Sequence, residues 1–304
     1  MLIAVGGGLG GALCFAIAAL CASSSSRETG AASTLAWVMA LGLGVLVVPI
    51  ALMGHPSRLS GDTVALLCVA GLSNVIGLHI EYVAFRRVAV GIVAAVASTE
   101  GLVAAVLSSV FGAPLARATV VLLVVITVGV VLAALHLDPP GDASAASQVQ
   151  QGPRSSPVRV MKRLDGSRTR SALLVIPVAL FFGITLYATG RAGTQAPIIW
   201  ALVPARLFGT LLITSPLLVR RKLRISRRTF PLVLSAGVAE VVGLVSYTFG
   251  ARHALAVAAV LASQSAAITT VAAFFLFGER LRRHQVFGVA TVVAGVVTLS
   301  ALRG

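Results

Sequence analysis

Charge is what this 304-residue sequence has least of. Asp, Glu, Lys and Arg make up 11% of it, against about 25% in soluble globular domains. Hydrophobic residues reach 58% and the mean hydropathy is +0.99. A soluble fold of this length has too little interior to hide so much apolar surface. Acids are scarcest, nine against 24 Lys and Arg. Cysteine is nearly absent, and Cys14, Cys21 and Cys68 lie in or near apolar stretches, which argues against a disulfide framework or a thiolate metal site and leaves them a packing role. Also missing are a Walker A sequence, a metal-ligand cluster and a nucleophile paired with a base. No cofactor and no metal are expected, and ATP-driven pumping and intramembrane catalysis lack support.

Long apolar runs are what the sequence has in their place. A membrane-spanning helix needs roughly 20 apolar residues, and ten such runs are readable: Leu2 to Ala22, Ser33 to Met53, Thr63 to Phe85, Val88 to Phe111, Ala118 to Leu137, Ala172 to Gly190, Pro197 to Val219, Phe230 to Gly250, Ala254 to Phe277 and Gln285 to Leu302. The fold class expected is all-α integral membrane. The first run is as long as a true span and has nothing positive before it, so it reads as a retained span rather than a signal peptide. Its GGGLGG matches GxGxxG only formally, because no strand precedes it and no βαβ unit follows. Gly6/Gly10 and Gly7/Gly11 fit GxxxG helix packing better.

The chain repeats itself. YVAFRRVAVGIVAAVAS (Tyr82 to Ser98) aligns with YTFGARHALAVAAVLAS (Tyr247 to Ser263), and Phe111-Gly112-x-x-Leu115-x-Arg117 aligns with Phe277-Gly278-x-x-Leu281-x-Arg283. The segment 138–171 is rich in Pro, Gly, Ser and Gln and reads as a flexible linker between a first five-helix unit, 1–137, and a second, 172–304. An odd number of spans per unit makes the second copy inverted, with a central cavity where the halves meet.

The net charge of +15 is concentrated beside the spans, so it reports topology rather than nucleic-acid binding. Loops after the odd-numbered spans hold 18 of the 24 Lys and Arg. Cytoplasmic loops collect such residues, so both termini are expected outside a cytoplasmic membrane. The partners expected are a small-molecule substrate and the lipid bilayer. No nucleic acid is expected, and the sequence leaves the oligomeric state open, a monomer included.

Ionisable groups inside spans are costly and mark candidate sites. Four lie away from span ends: Glu81, Glu100, Arg206 and Glu240. Arg206, Thr210 and Thr214 form a polar stripe expected to face a cavity, on a helix that Pro204 can bend. The Arg206 fork suits either a substrate anion or a buried pair with Glu240 or Glu100. Glu240, Gly243 and Tyr247 share a face, and Asn74, Leu78 and Glu81 form a counterpart. Glu81 is also one turn from Arg86 and Arg87 and can pair there. Ser98-Thr99-Glu100 lies at the same depth in the first copy as Ser263-Gln264-Ser265 in the second. A carboxylate kept from water can exchange protons near neutral pH, the physical basis of proton-coupled transport.

The second copy ends in FLFGERLRRHQVFGVATVVAGVV (Phe275 to Val297), and the first has a degenerate version, FGAPLAR, followed by Gly129-Val130. With these endings the sequence resembles the EamA-type transporters of the drug/metabolite transporter superfamily, over nearly the full chain. The resemblance implies ten helices as two inverted five-helix repeats and outward transport of small metabolites or drugs. Arg206 matches an Arg common in the second helix of such repeats. Glu279 matches the motif but lies among Arg residues at a membrane edge, where pairing is its expected role. Glu100 and Ser265 stand where the family often has a helix-breaking proline. The rival readings are an integral-membrane enzyme, with His79 and Glu81 as nearest candidates, and a non-transporting scaffold.

Overall fold

The computed structural model describes residues 2–53, 59–87, 93, 96–112, 117–134, 176–265, 267–269, 272, 287, 290–291, 294 and 298. The linker 138–171, Glu279 and the basic segments around 154–170 and 280–283 lie outside them. Among the described residues there is no strand. The helices are α1 (Leu2–Thr29), α2 (Ala31–Met53), α3 (Gly61–Phe85), α4 (Glu100–Phe111), α5 (Arg117–Ala134), α6 (Ile176–Gln195), α7 (Ile198–Gly209), α8 (Ser215–Val219) and α9 (Thr229–Ala262), with a π-helical turn at Thr210–Thr214 joining α7 to α8. Among the described residues, six continuous helical stretches are long and apolar enough to cross a membrane: α1, α2, α3, α6, Ile198–Val219 and α9.

Several helices depart from the expected spans for identifiable reasons. Helix α1 continues past Ala22 to Thr29 through a serine run. Ser23, Ser26 and Thr29 turn their hydroxyls back onto the carbonyls of Leu20, Ser23 and Ser25, at 2.9, 3.1 and 3.0 Å. These local bonds absorb the polarity without breaking the helix. The chain then reverses at Gly30, whose φ of +94° suits glycine. The π turn precedes Pro216, which has no amide proton to give an α-helical bond; the Ser215 N–H instead reaches the Thr210 carbonyl, five residues back. Helix α9 is two helices across a kink at Ala254 (φ −159°, ψ 91°), which is where the eighth and ninth expected spans divide.

The fourth and ninth expected spans are interrupted without proline. Residues 98–99 form a turn before α4 starts at Glu100, and residues 263–264 form a turn before helix resumes at Ser265. Hydroxyl groups contribute to both. Thr99 Oγ1 donates to the Val96 carbonyl at 2.8 Å, and Ser263 Oγ to that of Val260 at 2.8 Å, each competing for a carbonyl that a helix uses.

Small residues set the packing. In lipid the drive to associate is close contact, so glycine at an interface has value. A methyl on Gly7 would lie 2.6 Å from the Gly250 Cα, and one on Gly8 would lie 2.8 Å from the Ala258 carbonyl. Helix α1 therefore lies backbone to backbone along α9, fixed further by Ser246 Oγ donating to the Gly7 carbonyl at 3.1 Å. Helix α3 packs on α6 and α7, and α4 packs on α6 and α9. Outward positions such as Leu13, Val48, Leu52, Leu211 and Leu212 are exposed and apolar, the pattern that lipid rather than water favours.

Candidate functional site

A cavity opens where α1, α3, α6 and α9 converge on the two interrupted helices. About 640 Å³ of space lies within it, open solvent at its mouth included. Phe15, Ala18 and Ala19 of α1 line one part; Asn74, Leu78, Glu81 and Tyr82 of α3 line another. Ala97 and Glu100, Phe182, Thr185 and Leu186 of α6, Glu240 and Leu244 of α9, and Ser265 complete it. Both halves contribute.

The two helix interruptions touch. A methyl on Gly101 would fall 2.6 Å from Ser263 Oγ and 2.8 Å from the Val260 Cα. Gly101 thus lets the segment that presents Glu100 close directly onto the turn that precedes Ser265. Gly183 of α6 serves the same segment, since a methyl there would come within 2.9 Å of the Glu100 carbonyl. Glu100 is held at the cavity by backbone approaches that larger residues would prevent.

Glu240 is the best-partnered acid. Its Oε2 lies 3.4 Å from Arg206 Nη1, and its Oε1 accepts from Asn74 Nδ2 at 3.4 Å. Arg206 is 0% exposed and is not on the cavity wall; it stands behind Glu240. Gly42 of α2 makes room for it, as a methyl there would lie 3.0 Å from Arg206 Cδ. Nη1 also points at Met39 Sδ, 3.6 Å away, while Nε and Nη2 have no hydrogen-bond partner among the described residues. A guanidinium this enclosed gains from a carboxylate neighbour but has several donors to spare.

The expected stripe on α7 and the π turn therefore runs against α2. Thr214 Oγ1 donates to the Ala36 carbonyl at 2.8 Å, and the buried Thr210 hydroxyl has no partner among the described residues. Gly243 is filled, because a methyl there would meet the Phe15 ring at 2.7 Å. Tyr247 is fully buried beside the cavity, its hydroxyl donating to the Leu186 carbonyl at 2.6 Å. Gln264 is buried, with Nε2 donating to Val260 O at 3.2 Å and Oε1 unpartnered. Glu81 turns to the cavity, with no ion pair to the exposed Arg86 and Arg87.

Of the residues singled out from sequence, the cavity gathers Asn74, Glu81, Glu100 and Glu240 on its wall. Arg206 stands one layer back, Tyr247 and Gln264 are buried, and Thr210 is half-buried on the π turn, off the cavity wall. Phe15, Tyr82, Phe182 and Thr185 were not anticipated as wall residues. Tyr82 carried a signal, as the first matched residue of the repeat. The apolar residues of α1 and α6 carried none, because a cavity face and a packing face look alike in an all-apolar helix.

No curated protein matches the sequence. A solved structure described only as "Crystal structure of protein" aligns with a TM-score of 0.72 at 15% identity, covering 98% of this chain and 96% of that one, so the two share a fold. The profile of the EamA-like transporter family matches twice, over residues 2–135 and 169–301. With six long apolar helices, these matches make the protein a multi-pass membrane protein. Since the two matches span most of its length, the chain belongs to the EamA-like transporter family.

Proposed function

We propose that this protein is a secondary transporter that moves a small solute across the cytoplasmic membrane by alternating access. In this reading ten spans form two inverted five-helix repeats, with both termini outside and the linker on the cytoplasmic side. The observation that supports this reading is a cavity to which both copies bring polar groups, Glu100 after the 98–99 turn and Ser265 after the 263–264 turn. Matched interruptions near the middle of two repeats are what a site between inverted halves requires. Export of a metabolite or drug is the direction the family suggests. Exchange against protons is the coupling that an acid-lined cavity suits.

The roles divide by position. Glu81, Glu100 and Asn74 meet the solute, and Glu240 meets it while tied to Arg206, which sets the orientation of Glu240 instead of touching the solute. A resistance screen of an overexpressing strain against toxic metabolites identifies the solute. Counterflow into proteoliposomes then tests transport. Glu240→Gln should abolish counterflow while leaving insertion intact, and normal counterflow by that variant would remove Glu240 from the route. Chemical conversion of the solute without vesicles would support an enzyme instead.

A further inference from the structure

The cavity carries a charge pattern that selects among solutes. Among the described residues, three acids line it, Glu81, Glu100 and Glu240, and no Lys, Arg or His does. Arg206 is paired with Glu240, which also holds Asn74. Glu81 and Glu100 have neither a hydrogen bond nor an ion pair among the described residues, although they are only 9% and 8% exposed. An enclosed carboxyl without a partner ionises only at high cost. A positively charged guest supplies the counter-charge that favours the ionised form, whereas an anion would oppose it. Arg206 stands behind Glu240 rather than on the cavity wall, so an anion in the cavity meets Glu240 first.

The remaining wall fits the body of such a guest. Phe15, Tyr82 and Phe182 line the same cavity, with Leu78, Leu186 and Leu244 between them. Aromatic rings accept cations, especially alkylated ammonium groups, on their faces, and the aliphatic residues accept apolar substituents. We propose that the solute is a small organic cation with an apolar body, its charge held between Glu81 and Glu100. This rests on the transport reading of the same cavity and narrows it to a substrate class. Glu240, already compensated by Arg206, contributes less to cation binding than the two free acids.

The test uses the purified full-length protein in detergent and two permanent charges of similar size, benzyltrimethylammonium and benzylsulfonate, followed by calorimetry. The cation should bind and the sulfonate should not. Glu81→Gln and Glu100→Gln should each weaken cation binding about tenfold, the loss of one charge-assisted contact, with elution volume unchanged and the thermal midpoint no lower. Equal or tighter binding of the sulfonate overturns the inference, as does absence of cation binding by the wild-type protein, which requires no variant to fold. Solute counterflow in proteoliposomes is read separately. Counterflow that benzyltrimethylammonium does not inhibit overturns the cation assignment and leaves transport standing. Cation binding without any counterflow supports the cation site and overturns transport.

Discussion

Tyr82 and Tyr247 hold equivalent places in the repeated sequence, and the protein uses them differently. Tyr82 lines the cavity and stacks on Phe85, ring centroids 6.3 Å apart. Tyr247 is withdrawn from the cavity wall and fastened to the Leu186 carbonyl. The same divergence appears among the acids. Glu240 of the second copy is braced by Arg206 and Asn74, while Glu81 and Glu100 of the first copy face the cavity unbraced. On the cavity wall the acid of the second copy is held by partners, and the two acids of the first copy are not.

The most severe way to break this contrast is to remove the brace. Arg206→Ala leaves the enclosed Glu240 without its cation and should cost about 3 to 5 kcal/mol of stability, read as a lowered midpoint of thermal unfolding in detergent. The double variant Arg206→Met with Glu240→Met removes both charges and should regain most of that loss. A double variant no better than the single would show that the pair is not what stabilises this region. Next in size is the contact between the interruptions. Gly101→Val should cost about 1 to 3 kcal/mol by overpacking against Ser263 and Val260, while Gly44→Ala, where a methyl meets nothing within 4 Å, should be neutral or nearly so by the same assay.

The smallest effect separates the tyrosines directly. Tyr247→Phe loses a buried hydrogen bond and should destabilise by about 1 kcal/mol. Tyr82→Phe should change stability by less than about 0.5 kcal/mol while altering solute affinity in counterflow. Equal stability losses at the two positions would erase the distinction between the copies.

Much of this arrangement was legible in the sequence because membrane helices write their constraints plainly. Expected spans and observed helices agree closely at α2 and α3, and the division between Gly250 and Ala254 coincides with the kink in α9. The four intramembrane ionisable residues stood out by cost alone, and all of them lie at the cavity or directly behind it. Helix interruptions at 98–99 and 263–264 were less legible, since proline is absent there and the break involves hydroxyl competition and glycine approach, which need three-dimensional neighbours. Pairing of Arg206 with Glu240 was one of two open readings, because spacing places a guanidinium on a face without saying which acid lies opposite. Asn74 reaching Glu240 across 166 positions could not be seen at all. Of the aromatic wall, Tyr82 was marked by the repeat, while Phe15 and Phe182 were hidden in helices whose cavity and packing faces look alike.

Counterflow of the solute found by resistance screening is the most direct measurement of the account. Proteoliposomes preloaded with unlabelled solute and holding the folded protein should accumulate labelled solute transiently, and the Glu240→Gln protein should accumulate none. Folded, reconstituted wild-type protein that accumulates no solute from the screen, or a Glu240→Gln protein that accumulates it as the wild type does, would contradict the account.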